Sequence, residues 1–328
     1  DIKEIKHFSY NEKPSRANLN IKSGDLILAR MQSTVKARLI IEEDEDLMIS
    51  TGFLVLRPVK SIIEPTYLYH IITSPYFQNE KDRLCSGSTQ KSINNSNFKK
   101  LSIPLPPLEE QKHIATILNT ADAYRVKTKA LIEKYNELMQ SLFLDMFDVK
   151  ERNINNWKEV AIQDIAASHK GSMRTGPFGS DLLHSEFVSK GIPVLGIDNA
   201  VLNRFQWKER RFITREKYNK LKRYTIFPKD IIITIMGTVG RVAVIPDNIG
   251  IAINTKHLAA ITLNNEVANP HFIAFSLLND EYIRQQIKSQ GKGAIMEGLN
   301  LTIIKGLRLF LPQIELQNLF ADRVAQIE

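Results

Sequence analysis

The stretch "SIPLPPLEEQKHIATILNTADAYRVKTKALIEKYNELMQSLFLDMF", Ser102 to Phe147, joins a proline-stiffened strip to about forty residues of unbroken helical pattern in mid-chain. Proline fixes φ and removes a donor, so the lead-in is extended as far as Pro107. Ile117, Ala121, Tyr124, Thr128, Leu131, Tyr135, Leu138 and Leu142 then alternate at spacings of four and three, which is a coiled-coil seam. At ~1.5 Å per residue the helix is a rod of roughly 60 Å. Such a rod is longer than an ordinary core helix, and a narrow seam needs a long partner. A weaker copy of the motif, "LFLPQIELQNLFADRVAQIE", occupies Leu309–Glu328. The second helix would lie antiparallel to the first, because the chain must traverse a whole domain and return.

Outward from this motif the chain repeats with a period near 205. "GDLILARMQSTVKARLII" from Gly24 aligns with "KDIIITIMGTVGRVAVI" from Lys229, "ISTGFLVL" from Ile49 with "INTKHLAA" from Ile253, and "LPPLEEQ" from Leu105 with "LPQIELQ" from Leu311. A tandem duplication is the simplest reading. It divides the chain into a first globular head at 1–107, a spacer helix at 108–148, a second head at 149–312 and the start of a second spacer helix at 313–328. Residues 155–204 have no counterpart ahead of Asp1, and the second helix stops early, so both ends are expected to be cut. Within each head, β-branched runs around tight turns predict short strands. "NPHFIAFSLLNDEYIRQQI" predicts one helix with Pro270 in its first turn. The expected fold is α/β (α+β): two similar heads joined by long antiparallel coiled-coil helices.

Composition narrows the function. The formal charge is +8 over 328 residues, concentrated in the heads, and a basic domain suits a polyanionic partner. No run approaches the ~18 apolar residues of a membrane span. The one cysteine, Cys85, can form neither an internal disulfide nor a cysteine-built metal site. A cytoplasmic location is expected, with no metal.

The segment "IPLPPLEEQKHIATILNTADAYRVKTKALIEKYNELMQSLFLDMF" closely resembles the central conserved region of the specificity subunits of Type I restriction–modification systems. "TGPFGSDLLHSEFVSKGIPVLGIDN" is similar to a common opening of their target-recognition domains, and "SGSTQKSIN" to a closing loop. The likeness covers nearly the whole chain, although the second "LPQIELQ" is degenerate. It implies a non-catalytic subunit in which each head reads half of a split double-stranded DNA target. The helices would set the spacing and dock modification (methyltransferase) subunits, expected to be two, together with a restriction/translocase subunit. S-adenosylmethionine, ATP and Mg would sit on those partners, and this chain would carry no cofactor.

Several stretches could contact DNA. "RFQWKERRFITREKYNKLKRY", Arg204–Tyr224, interleaves cations with aromatics, and Lys208, Arg210, Arg211, Arg215, Lys222 and Arg223 are its candidate phosphate ligands. An amphipathic helix with its aromatics turned inward would look the same. In "GSMRTGPFGSD" Arg174 is a candidate guanine reader with Thr175 and Ser180 beside it, unless the loop is simply a glycine-rich turn. "GTVGR" offers Thr238 and Arg241, "NTKH" offers Lys256, and the flexible "QGKGAIMEG" offers Lys292. The first head's candidates are Lys36, Arg38 and Lys91. "ANPHF" at Ala268 looks like an adenine-methyltransferase loop, but its repeat partner reads "EPTY", which fits a helix start better.

Two other readings share this architecture. In one, the chain is the recognition part of a fused single-chain restriction–modification enzyme. In the other it is a coiled-coil scaffold that binds no DNA, and that scaffold leaves the charge asymmetry unexplained.

Overall fold

The computed structural model describes residues 6–9, 12–44, 47–208, 210–290 and 299–327. The chain forms two compact units, Asp1–Leu131 and Ile132–Glu328. In the first, β1 (Ala17–Asn20), β2 (Leu26–Ala29), β3 (Ala37–Leu39), β4 (Met48–Ser50) and β5 (Phe53–Leu56) precede α1 (Pro65–Thr73), α2 (Pro75–Arg83) and α3 (Asn95–Phe98). The long helix, α4 (Leu108–Phe147), is one continuous element that starts in the first unit and ends in the second. The packing boundary therefore falls inside the helix, so each head keeps its own part of the rod.

The second unit runs α5 (Val149–Ile154), β6 (Lys158–Ala161), β7 (Met173–Thr175), β8 (Ile192–Leu195), β9 (Arg211–Ile213), α6 (Arg215–Leu221), β10 (Thr225–Ile226), β11 (Ile231–Thr234), β12 (Val242–Val244), β13 (Ala252–Asn254), β14 (Leu258–Ile261), α7 (Pro270–Asn279), α8 (Glu281–Gln290), α9 (Leu301–Gly306), β15 (Arg308–Leu311) and α10 (Ile314–Ile327). Two four-stranded sheets form, ordered β10-β13-β8-β9 and β12-β11-β14-β7. Pairing is antiparallel except between β8 and β13, which is the α+β form of the expected class.

The duplication persists in the hydrogen-bond register. Leu26 of β2 faces Leu39 and Leu56, and Ile231 of β11 faces Val244 and Ile261, every position 205 residues on. Each central strand follows a residue at positive φ, Gly24 (86°) or Lys229 (65°), and then a buried aspartate, Asp25 or Asp230. Each aspartate caps the turn, accepting from Lys22 N at 2.9 Å or Phe227 N at 2.8 Å. Their cationic partners differ. Asp25 is held below the usual carboxylate range by the half-exposed Arg57, whereas burial pushes Asp230 up against the pull of Arg174.

Helical segments depart from expectation: α3, α5 and α9 are short additions, and the helix expected from Asn269 is divided. Two helices, α7 and α8, replace the single predicted one, because Asp280 adopts extended backbone (φ −72°, ψ 116°) and accepts from Tyr282 N at 2.9 Å. Ser74 makes the equivalent break between α1 and α2. Asn269 is the N-cap of α7, accepting from His271 N and Phe272 N at 2.8 and 3.2 Å. The "ANPHF" string is therefore a helix start.

The α4 exit motif anchors the second core. Phe143 and Phe147 are buried against Phe272 of α7 and Phe320 of α10, with ring centroids 4.8–6.2 Å apart. Contact with α10 occurs in these last turns. Along the rest of the predicted seam Ile117, Ala121, Tyr124, Leu131, Tyr135 and Leu138 are exposed, and Leu142 packs against the aromatic core. The fourteen residues of α10 do not reach them.

Where each proline strip meets its helix, one glutamine is fully buried. Gln111 accepts from Glu64 N at 2.9 Å and donates to Ile62 O and Pro106 O at 3.0 and 2.8 Å. Gln317 repeats the set, with Asn269 N at 2.9 Å and Val267 O and Pro312 O at 3.0 and 2.8 Å. The degenerate second motif thus keeps its one indispensable side chain. Gln111→Ala leaves three part-buried backbone groups without this partner and is expected to cost about 1–3 kcal/mol. The exposed neighbour change Lys112→Ala should stay within about 0.5 kcal/mol. Urea midpoints of the two variants check this.

Candidate nucleic-acid interface

The central strand β11 and its neighbour β14 bring several loops of the second head to one end of the sheets. Ile235 N donates to His257 O at 2.8 Å, and Thr255 N donates to Leu195 O at 2.9 Å. These bonds tie the turn 236–241 to the loop 254–257 and to the end of β8. The "TGPFG" loop lies on the same cluster, because the backbone at Gly176 rests directly on Asn254 and Thr255, leaving no room for a Cβ. Gly237, at φ 72°, is similarly close to Ile197. Gly196 packs beside the Arg211 guanidinium, which pairs with Asp198.

The exposed surface of this cluster carries Ser180, Thr238, Arg241 and Lys256, with Met236 and Phe178 also open to solvent. Thr175 is half-buried in β7 opposite Ala259. Burial, then the adjacent Lys256 and Arg211, lowers the His257 pKa. Small backbone approaches, hydroxyls and unpaired cations together form a surface that can enter a groove and donate to acceptors there.

The basic strip flanks the cluster as a loop, β9, α6 and a 3-10 turn. Its aromatics divide. Tyr218 is buried, while Trp207 is 38% exposed. Arg210 stacks over Trp207 at 4.8 Å, Arg215 over Tyr218 at 5.3 Å and Arg223 over Tyr224 at 4.7 Å. Arg223 also pairs with Asp181 at 3.0 Å, linking the strip to the 179–181 turn. Lys208, Arg210, Arg215 and Lys222 are exposed. Stacking holds planar cations outward at little entropic cost, an arrangement suited to phosphate.

One expectation fails on geometry. Arg174 lies in the interior at 7% exposure, with the carboxylate of Asp230, itself 0% exposed, on its Nη2. Its Nε and Nη2 donate to Thr225 O at 2.9 and 2.6 Å, and its Nη1 donates to Thr262 Oγ1 and Gly171 O at 3.0 and 3.2 Å. All five N–H groups of the fork are engaged, so none remains for a guanine edge. Arg174 sits on β7 and braces the sheet. Arg38 of the first head is similarly engaged, gripping Asp44 at 2.9 and 3.0 Å. Lys36 and Lys91 are exposed, and Lys292 lies outside the described residues.

Sequence reasoning missed Asp198 and His257. Both lie within two residues of positions it singled out or quoted, but only the folding of β8, β9 and β14 brings them to Arg211. It also missed Gln111 and Gln317, whose signal was their survival in both copies of the proline motif.

The profile of a protein family described as the Type I restriction modification DNA specificity domain matches residues 5–139 and 154–328. The Type I restriction enzyme MjaVIII specificity subunit of Methanocaldococcus jannaschii is 22% identical over 301 residues, 86% of this chain and 67% of that protein. The EcoBI specificity subunit of Escherichia coli is 23% identical over 280 residues, 80% of this chain and 58% of its own length. The crystal structure of a Type I restriction–modification S subunit from M. genitalium shares the fold, with a TM-score of 0.60 and 18% identity over 94% of this chain and 79% of that one. Two matched segments, a repeated sheet register and a connecting helix lead to one conclusion: the chain belongs to the Type I restriction–modification DNA specificity family.

Proposed function

We propose that the chain is the DNA-reading, non-catalytic subunit of a Type I modification and restriction complex. Each head reads one half of a split double-stranded target, and because the loops of the two heads differ in sequence, the half-sites differ. The long helices set the unread gap and dock two modification subunits, and a restriction/translocase subunit completes the assembly. S-adenosylmethionine, ATP and Mg are held by those partners.

The observation that carries this reading is the convergence, at one end of the second head, of the turns 176–181, 236–241 and 254–257 beside a cation strip stacked on aromatics. The turns would meet base edges and the strip would meet phosphates. Phosphate ligands reveal themselves through salt, since each neutralised phosphate contributes about 0.9 to the slope of log K against log salt. Replacing Lys208, Arg210 and Lys222 together with alanine is expected to weaken DNA binding for all sequences and to reduce that slope by about 2–3. An unchanged slope would show that the strip lies away from the DNA.

A further inference from the structure

The first head contains one fully buried lysine. Lys81, near the C-terminal end of α2, is 0% exposed. Its Nζ donates to Met31 O at 3.2 Å and Thr34 O at 3.0 Å, and the carboxylate of Asp82 lies 3.5 Å away. An ammonium has three donors: two are used on these carbonyls, and the charge faces Asp82 Oδ1 at ion-pair distance without hydrogen-bonding it. Removing such a charge from water costs several kcal/mol before its partners offset it. The residue therefore marks a place where geometry is specified at the expense of stability.

That place is the turn between β2 and β3. The same helix end holds the turn at further points: Ser33 N donates to Asp82 Oδ2 at 2.8 Å, and Gln32 Nε2 donates to Asp82 O at 3.3 Å. Ser33 sits at φ 56°, a conformation an L-residue keeps only under such constraint. Gln32 N also donates to Lys91 O at 3.0 Å, and Met31 bridges to Ser92, so the 86–92 loop is registered to the turn as well. Beyond these anchors Met31 and Val35 are 41% and 57% exposed, and Lys36 and Lys91 project into solvent.

The repeat indicates what the turn is for. It occupies the position that 236–241 holds in the second head: Arg30 N donates to Gly52 O as Ile235 N donates to His257 O. The second head's turn is closed from within, since Thr234 Oγ1 bonds both Thr238 O and Arg241 N and two residues are positive-φ glycines. The first head's turn has neither glycine and takes its shape from α2. Resting on the proposed function, we propose that Lys81 is the positioning residue of the first head's DNA-reading turn, so that a side chain beneath the surface determines half of the target sequence.

The test uses the full chain with its modification subunits in a methylation-free host, with the methylated motif determined by single-molecule sequencing. Lys81→Met fills the same volume and removes the donors. It is expected to loosen one block of the motif by roughly tenfold or more, the scale of one lost base contact, while the other block keeps its sequence. Asp82→Ala, at a side chain nearer the surface, should loosen the same block even where Lys81→Met compromises the first head's folding. Both blocks unchanged in Asp82→Ala, or in a folded Lys81→Met protein, would overturn the assignment. A wild-type motif that is not split would instead overturn the proposed function on which it rests.

Discussion

Replacing Arg174 with alanine is expected to destabilise the second head by about 3–5 kcal/mol, the scale on which removing one member of a buried ion pair acts. Asp230, at 0% exposure, would lose its cation and be left with only Phe227 N and Thr262 Oγ1 to meet it. Thr225 O would lose two donors. Domains are stable by about 5–15 kcal/mol, so the variant should unfold at much lower urea. Arg210→Ala, at an exposed site, should fall within about 0.5 kcal/mol of the parent. The two substitutions separate the two kinds of arginine in this head. If Arg174→Ala kept its stability and lost only its sequence preference, Arg174 would be a base reader after all and the buried network described above would be wrong.

The second large effect concerns α4. Seven residues inserted between Arg125 and Gln140 preserve the seam, because a heptad returns each apolar position to the same face. At ~1.5 Å per residue they add about 10 Å of helix, equivalent to at most about three base pairs of duplex. The unread gap should lengthen by at least one base pair with both half-sites unchanged, as sequencing of the methylated genome would show. An altered half-site with the original gap would mean that the helix does not set the spacing. A two-residue insertion rotates the seam by about 200°, off its face, and should abolish modification altogether. The exposed Ile117, Tyr124, Leu131, Tyr135 and Leu138 make both outcomes sensitive to whatever covers that face in the assembled complex.

Much of this was legible in the sequence because periodicity and repetition are local signals. The α4 span, the β11–β12 hairpin and the strand-by-strand duplication follow from spacing alone, and the register of 205 residues reappears between Leu26–Leu56 and Ile231–Ile261. The role of Arg174 was not legible. A guanidinium among glycines has the same appearance whether it faces a groove or a buried carboxylate, and its partner lies 56 residues away in the turn ahead of another strand. The equivalent first-head aspartate takes its cation from Arg57 instead, so the repeat gave no hint of the pairing. Lys81 was missed for a related reason: within "YFQNEKDRL" it has the composition of a solvated helix face, and only the β2–β3 turn lying on the end of α2 encloses its ammonium.

In the proposed function two heads on one helix read two separate blocks of DNA. Single-molecule sequencing of a methylation-free host expressing the subunit with its modification partners tests it most directly. The proposed function predicts methylation in a split, asymmetric motif, with two short and different blocks flanking an unread gap. A continuous motif, or the absence of any methylation alongside an active partner, would contradict it.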